Sequence, residues 1–328
     1  MSLLKVLIIA VIFFFSSVNQ STGAGIKVKV GYLTLGSGYA NIWVTKDAGI
    51  FEKYGLDVQL VYIPPRLIAV AMLADEIQLG MGGGGTMIEA NLKGTDFVLL
   101  GSIQKTSAIA FLVTRKEITK PSQLKGKKLG VSRRGAAAHR ILELVLPKVG
   151  IDPKKDVVML EIGNTAVRLV ALTQGSIDGT VLTATSTYVA RGLGHNVLLD
   201  VRKMGVEYLA SDITTTRSFI NKNEEAVRRY VKSVVVGIHY YLTHKEESMK
   251  IMSKYMREND PKILEVAYNF NVEAYERKPY ITLPGLKQVL KDIAARNPKA
   301  KQAKPEQFYE SKYIRELDES GFIDNLYK

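Results

Sequence analysis

The chain has 328 residues, of which 46% are apolar and 23% are charged, and its formal net charge is +13. This composition is typical of a folded protein of about two domains and excludes a disordered chain. The chain contains no cysteine, which excludes a disulfide framework, a thiolate metal site and a thiol nucleophile. Its basic residues are scattered and do not alternate with aromatic residues, so we expect no binding to nucleic acid.

Residues 1–24 have the features of a secretory signal. Lys5 precedes an unbroken apolar run, Val6 to Phe15, which is followed by small and polar residues up to Ala24. The run is shorter than the roughly 20 residues that span a membrane. We therefore expect cleavage after Ala24 and a protein that is free in the periplasm, with no lipid anchor.

Strands and helices alternate from residue 27 onwards. In the first half, the pattern predicts strands at 27–33, 56–63, 77–81 and 97–103, and helices at 42–54, 66–74 and 87–93. In the second half, it predicts strands at 128–131, 156–161 and 177–181, and helices at 136–149 and 166–174. The remainder, 217–328, has mostly helical spacing.

The two halves repeat one another at a spacing of about one hundred residues. The pair Ala71-Met72 before Ile77-Gln78 recurs as Ala171-Leu172 before Ile177-Asp178. The repeat predicts two similar α/β lobes. Gly175 occupies a position where a helix end turns left-handed, and its counterpart is Asp75. We expect either a slightly strained turn at Asp75 or a helix that ends differently there.

Four loops of small or hydroxyl residues follow predicted strands, at 34–39, 82–86, 132–137 and 183–187. Ligands of α/β sheets bind at such loops, and the helix N-termini beside them favour anions. Arg133 and Arg134 either bind a carboxylate, sulfonate or phosphate there, or one or both of them point to solvent. Trp43, on the first helix, either stacks on the ligand or packs against the sheet.

Other chemistry has little support. The segment Gly36 to Asn41 lacks the third glycine of a dinucleotide-binding loop, and no phosphate-binding GxxxxGK[ST] motif occurs. The four histidines have no metal-site spacing, and the loops hold no paired carboxylates. We therefore expect no cofactor, no metal, no catalytic residue and no enzymatic activity.

At this point several motifs together resemble the nitrate, sulfonate, taurine and thiamine-precursor binding proteins of ABC importers. These motifs are Gly31-Tyr32-Leu33, Trp43 to Val58, Gly82-Gly83-Gly84, Leu124 to Val131, Ala171 to Asp178, and Glu316 to Ile323. The resemblance implies a type II periplasmic binding protein, α/β in class, with two lobes joined by two crossover strands. Lobe one would be 25–113 plus 217–328, lobe two 114–216, and the ligand would lie in the cleft between them.

The resemblance and the loops together define the expected ligand contacts. These are Leu35, Ser37, Gly38, Trp43, Gly84, Gly85, Thr86, Arg133, Arg134, Gly135, Ala136, Ala137 and Thr183. Many family members carry Ser or Thr just after the glycine that opens the second-lobe helix, whereas this chain has Ala136-Ala137-Ala138, which offers backbone N–H groups only.

The resemblance implies a monomer that closes on a small sulfonate, carboxylate or pyrimidine-like molecule and delivers it to membrane permease subunits. Two alternatives remain. The first is an enzyme of the same fold, of the thiamine-pyrimidine or menaquinone-pathway type, although the absence of cysteine and the export signal favour neither. The second is an exported sensory module.

Overall fold

The computed structural model describes residues 25–328, so the expected signal segment, 1–24, lies outside the described residues. The strands of the described part form two five-stranded sheets. In chain order these strands are β1 (Ile26–Tyr32), β2 (Leu56–Tyr62), β3 (Leu79–Met81), β4 (Phe97–Ser102), β5 (Ile109–Thr114), β6 (Lys127–Val131), β7 (Val157–Glu161), β8 (Gly179–Thr183), β9 (Asn196–Asp200) and β10 (Asp212–Thr216).

Helices cover both sheets, and the C-terminal third is helical, as the sequence predicts. The α-helices are α1 (Ala40–Asp47), α2 (Ile50–Lys53), α3 (Ile68–Leu73), α4 (Gly84–Asn91), α5 (Ala137–Val145), α6 (Thr165–Thr173), α7 (Ala184–Gly192), α8 (Arg217–Thr243), α9 (Lys245–Met256), α10 (Pro261–Ala274), α11 (Leu283–Ala294), α12 (Lys312–Glu319) and α13 (Phe322–Leu326). The single helix predicted at 42–54 is in fact two, because Gly49 adopts a left-handed conformation with φ of 70° between α1 and α2. No helix within residues 25–328 is long and apolar enough to cross a membrane.

The two sheets have the same topology, which confirms the predicted two-lobed α/β fold. Their strand orders are β2-β1-β3-β10-β4 and β7-β6-β8-β5-β9. In each sheet the first three strands of this order are parallel, and the fourth is antiparallel to both of its neighbours. The antiparallel strand is the one by which the chain enters from the other lobe.

The expected lobe boundaries, at 113/114 and 216/217, assign β5 and β10 to the wrong lobes. β5 pairs with β8 and β9 in the second sheet, and β10 pairs with β3 and β4 in the first. The chain therefore crosses between the sheets at 103–108 and returns at 205–211. Hydrogen bonding across strands decides this division, and apolar spacing along one strand does not reveal the partner strand.

The internal repeat extends to individual backbone hydrogen bonds. The Gln78 N–H donates to the Lys29 carbonyl at 3.1 Å, and the Asp178 N–H donates to the Lys128 carbonyl at 2.8 Å. The first bond joins the segment before β3 to β1, and the second joins the segment before β8 to β6. The two lobes thus place their strand ends, and the helices that follow them, in equivalent positions.

The one difference that the sequence singles out in the repeat is confirmed. Asp75 has a φ of 57°, and its counterpart Gly175 has a φ of 76°. A left-handed conformation costs an ordinary residue about 1–2 kcal/mol and costs glycine much less.

Replacing Asp75 with glycine is therefore expected to stabilise the protein by about 0.5–1 kcal/mol, after the loss of one exposed Asp75–Gln78 side-chain hydrogen bond. Urea denaturation measures the change. Gly175→Asp is the matched control and should destabilise the second lobe. A decrease in stability for Asp75→Gly would show that the side chain matters more than the strain.

Candidate functional site

A cavity of about 510 Å³ lies between the two sheets, where the chain crosses from one lobe to the other. Both lobes and both crossing segments contribute to its wall, and its size suits a small organic molecule. The residues that line it are Leu33, Thr34, Gly36, Ser37, Gly38, Tyr39, Pro65, Gln104, Ser107, Ala108, Ile109, Ala137, Thr165, Thr183, Ala184, Thr185, Tyr208, Leu209, Ala210, Ser211, Met256 and Phe270. None of these residues is an acid, a histidine, a lysine or an arginine.

Four of the expected ligand contacts line the cavity, and they come from both lobes. Ser37 and Gly38 lie in a short 3-10 turn before α1, Ala137 is the first residue of α5, and Thr183 ends β8. One of the two first-lobe loops, 34–39, and both second-lobe loops, 132–137 and 183–187, thus converge on the cavity, because strands in equivalent positions end at the same edge of each lobe.

The first-lobe loop at Gly84, Gly85 and Thr86 does not line the cavity. The N-terminus of α4 at this loop is occupied from within the protein, because the Asp212 carboxylate accepts a hydrogen bond from the Gly84 N–H at 3.2 Å. A Cβ atom at Gly84 would clash with this carboxylate and with Leu99. Gly84 is therefore required for the close approach of the Asp212 carboxyl, which occupies this helix end.

Asp212 is itself unusual. Its side chain is 1% exposed, its Oδ1 atom has no hydrogen-bond partner among the described residues, and burial raises the pKa of its carboxyl to about 7. The Ser102 side chain and the Gly84 N–H oppose part of this rise. Asp212 lies next to the cavity residue Ser211 but does not itself line the cavity.

Trp43 and Leu35 also lie outside the cavity wall. The Trp43 side chain is fully buried, and its indole stacks on the Tyr255 ring with centroids 5.1 Å apart. Of the two roles open to Trp43 from the sequence, packing is the one in the structure. Leu35 is exposed, although its neighbours Thr34 and Gly36 line the cavity.

The two arginines expected at the anion site, Arg133 and Arg134, are exposed and do not line the cavity. Gly135 and Ala136 likewise lie outside its wall. Gly135 has a φ of 74°, and this turn directs the chain into α5 beyond the two arginines. The second-lobe helix therefore reaches the cavity at Ala137, three residues after Arg134.

Three helices of the second lobe begin at the cavity: α5 at Ala137, α6 at Thr165 and α7 at Ala184. The side chain of Asn164 caps α6 and that of Thr183 caps α7, whereas α5 has no side-chain cap because Ala136 precedes it. The first N–H groups of a helix have no partner within the helix and carry a partial positive charge. This wall of the cavity therefore presents hydrogen-bond donors and a positive potential, most of all at α5.

A buried arginine lies behind the same wall. Arg168, on α6, is 1% exposed, and its guanidinium donates to the carbonyls of Gly163 and Val181, at 2.7 and 3.1 Å, and to the hydroxyl of Thr180, at 3.0 Å. Its Nη2 also donates to the Thr165 hydroxyl, at 3.3 Å, and Thr165 lines the cavity.

No carboxylate within residues 25–328 forms an ion pair with Arg168. Burial lowers the pKa of its guanidinium, but the ordinary pKa of arginine is so high that the group stays charged. A buried charge normally has a partner. The positive charge of Arg168 therefore adds to the potential of the helix N-termini at Thr165.

Several cavity residues were not predicted from the sequence, notably Thr165, Gln104, Tyr208 and Phe270. Thr165 had a signal: Asn164-Thr165 precedes a helix, and the internal repeat aligns Thr165 with Pro65, which lines the opposite wall. Gln104 and Tyr208 lie on the two crossing segments, and Phe270 lies on α10. They carry no local motif and reach the cavity only through the packing of distant elements.

With this geometry in place, comparison with known proteins identifies the class. The two matching sheets with a cavity between them are those of the two-lobed periplasmic binding proteins. The chain matches the family described as NMT1/THI5 like over residues 37–248, and it belongs to that family. YtlA of Bacillus subtilis (strain 168), a candidate binding protein, is 25% identical over 259 residues, which cover 77% of this chain and 76% of YtlA.

Solved structures share the fold at lower identity. The periplasmic aliphatic sulphonate binding protein SsuA of Escherichia coli superposes with a TM-score of 0.68 at 18% identity, over 83% of this chain and 87% of SsuA. The periplasmic nitrate-binding protein NrtA of Synechocystis PCC 6803 superposes with a TM-score of 0.66 at 12% identity, over 90% of this chain and 89% of NrtA.

Proposed function

We propose that this protein is the solute-binding component of an ABC importer and that it captures a small organic anion, a carboxylate or sulfonate, in the cavity between its lobes. The observation that carries the proposal is the convergence of three second-lobe helix N-termini on a cavity whose wall contains no acid. SsuA and NrtA, which are named for the anions that they bind, support the same class of ligand.

The anionic group of the ligand would lie at the starts of α5, α6 and α7. There it would accept hydrogen bonds from the uncapped N–H groups of α5 and from the Thr165 hydroxyl, in front of the buried Arg168. A neutral pyrimidine would gain less from this potential than a carboxylate or sulfonate would. The remaining contacts would come from Ser37, Gly38 and Thr183, in agreement with the sequence-based expectation.

Closure over the ligand is supported by ion pairs between the lobes. Arg140 of α5 lies 3.5 Å from Asp292 of α11, and Arg202, after β9, lies 2.7 Å from Glu273 of α10. A ligand that contacts both lobes would favour the closed form in which these pairs exist, with the crossing segments 103–108 and 205–211 as hinges.

The binding role needs no chemistry at the cavity. The titratable side chains that line it are Tyr39 and Tyr208; burial raises the pKa of both, that of Tyr208 to about 12. Neither is poised to exchange a proton near neutral pH. We therefore propose a protein that is not an enzyme, is exported by its N-terminal segment, acts as a monomer in the periplasm and releases the ligand unchanged to permease subunits.

The charge of the site can be tested at Ala137. Ala137→Asp would place a carboxylate at the first position of α5, inside the cavity and at a helix position that favours it. Two like charges about 5 Å apart repel by about 3 kcal/mol at an effective dielectric constant near 20. Binding of small carboxylates and sulfonates, measured by calorimetry over a panel of both, is thus expected to weaken roughly 100-fold.

The matched control is Ala137→Asn, which has nearly the same shape and no charge, and should retain most of the affinity. Both variants should unfold at the wild-type temperature or above it. Equal affinities of the Asp and Asn variants for the same anion would contradict an anion site at α5, and so would a wild-type protein that binds no member of the panel.

A further inference from the structure

One cavity residue, Gln104, has a hydrogen-bonding atom without a partner. Its side chain lies on the first crossing segment, is 1% exposed and lines the cavity. The Nε2 atom donates to the Asn271 Oδ1 at 3.3 Å, whereas the Oε1 atom is buried and has no hydrogen-bond partner within the described residues. A buried acceptor left without a donor typically costs about 1–3 kcal/mol.

The orientation of this amide follows from its neighbours. Asn271 donates from Nδ2 to the backbone carbonyl of Ser37 at 2.7 Å. A carbonyl can only accept, so the nitrogen of Asn271 must face Ser37 and its oxygen must face Gln104. Gln104 must then present its nitrogen to Asn271, which leaves its oxygen on the opposite side.

The oxygen of Gln104 borders a niche above Gly38. A methyl group at Gly38 would lie 4.0 Å from Gln104 Oε1, 4.0 Å from the Ser211 hydroxyl and 3.7 Å from the Ala108 methyl, all four residues being part of the cavity wall. The Ser211 hydroxyl already donates its hydrogen to the Gly38 carbonyl at 3.2 Å. The niche therefore offers two acceptor oxygens and no side-chain donor.

We infer that Gln104 is a specificity-determining residue, whose Oε1 atom accepts a hydrogen bond from an O–H or N–H group of the ligand. The inference rests on the proposed function and narrows the class of ligand. The second lobe offers donors to the anionic group, and the niche of the first lobe offers acceptors. The ligand class is an organic anion that carries a hydroxyl or amino group at the end away from its carboxylate or sulfonate.

The test uses pairs of anions that differ only in a hydroxyl or a methyl group far from the charge. The probes are 4-hydroxybenzoate with 4-methylbenzoate, 4-hydroxybenzenesulfonate with 4-methylbenzenesulfonate, and 2-hydroxyethanesulfonate with propane-1-sulfonate. Calorimetry on the mature wild-type chain should show at least one pair in which the hydroxyl compound binds about tenfold or more tightly than its methyl partner.

Two variants test whether the niche causes this preference. Gln104→Met keeps the length of the side chain and removes the acceptor, so the preference should disappear. Gly38→Ala fills the niche at ordinary contact distances, so the fold should persist while both members of the pair bind about tenfold less tightly. Gly192→Ala, at a glycine with nothing within 4 Å, is the control and should bind as the wild type does.

The outcomes separate this inference from the proposal on which it rests. Binding without a hydroxyl preference in the wild type, or a preference that persists in a folded Gln104→Met, overturns the role of Gln104 and leaves the anion site standing. Failure of a normally folded wild type to bind any of the six probes counts against the anion site and the inference together. The unfolding transition, followed by circular dichroism, verifies the fold of each variant.

Discussion

Replacing Arg168 with methionine is expected to lower the free energy of unfolding by about 3–5 kcal/mol. The substitution leaves the carbonyls of Gly163 and Val181 and the hydroxyl of Thr180 without this donor, and the bonds to Val181 and Thr180 are buried. Hydrogen bonds to a charged donor contribute about 1.5–3 kcal/mol each, and partial relaxation of the second lobe offsets part of the sum.

Urea denaturation measures this change, and two probes separate the lobes. The only tryptophan, Trp43, lies in the first lobe, so its fluorescence reports on that lobe, whereas far-ultraviolet circular dichroism reports on both. The circular dichroism transition of Arg168→Met should move to lower urea more than the fluorescence transition does. Arg133→Met, an exposed arginine in the same lobe, is the control and should change stability by less than about 0.5 kcal/mol; an equal effect of the two substitutions would contradict the role given to Arg168.

Replacing Asp212 with asparagine is expected to change the pH dependence of stability. The folded-state pKa of about 7 lies above the ordinary value of 3.8, so between these pH values the folded protein retains a proton that the unfolded chain has released. The stability that Asp212 contributes is therefore full below about pH 4 and is lost as the pH rises through about 7. Over that interval the loss amounts to up to about 4 kcal/mol.

Asparagine is neutral throughout and can still accept from the Gly84 N–H, so Asp212→Asn should gain stability relative to the wild type as the pH rises from 4.5 to 8. Urea denaturation at both pH values gives the difference. Asp57→Asn, at an exposed position of β2, is the control and should show a much smaller change with pH. A stability difference between Asp212→Asn and the wild type that is the same at both pH values would mean that the Asp212 carboxyl titrates normally in the folded protein.

Arg168 and Asp212 give the helix N-termini of the two lobes different electrostatic surroundings. The Asp212 carboxyl occupies one of the two first-lobe helix N-termini that the sequence suggests for ligand binding, the one at Gly84. Arg168 instead reinforces the second-lobe N-termini, through Thr165. In the proposed function, an anionic ligand would therefore bind with its charged group at the second lobe, and the first lobe would recognise the rest of the molecule.

Much of this protein could be predicted from its sequence, because the deciding signals are local. Apolar periodicity locates the strands and helices, glycines locate their ends, and the repeat of Ala71 to Gln78 at Ala171 to Asp178 predicts two equivalent lobes. The same local reasoning predicts the strained turn at Asp75 and places Ser37, Gly38, Ala137 and Thr183 at strand ends, where the cavity forms.

Other features were decided only by the tertiary structure, because they depend on contacts between residues far apart in the chain. The sheet membership of β5 and β10 follows from pairing with distant strands, so the lobe boundaries could not be read from 109–114 or 212–216 alone. Gly84 looks like a ligand-binding glycine until Asp212, 128 residues later, is seen to occupy its N–H. Arg168 looks like an ordinary helical residue, and the arginines that look functional, Arg133 and Arg134, are exposed. Whether a charged group is buried, paired or free is set by everything that packs around it, and a sequence specifies that environment only through the complete fold.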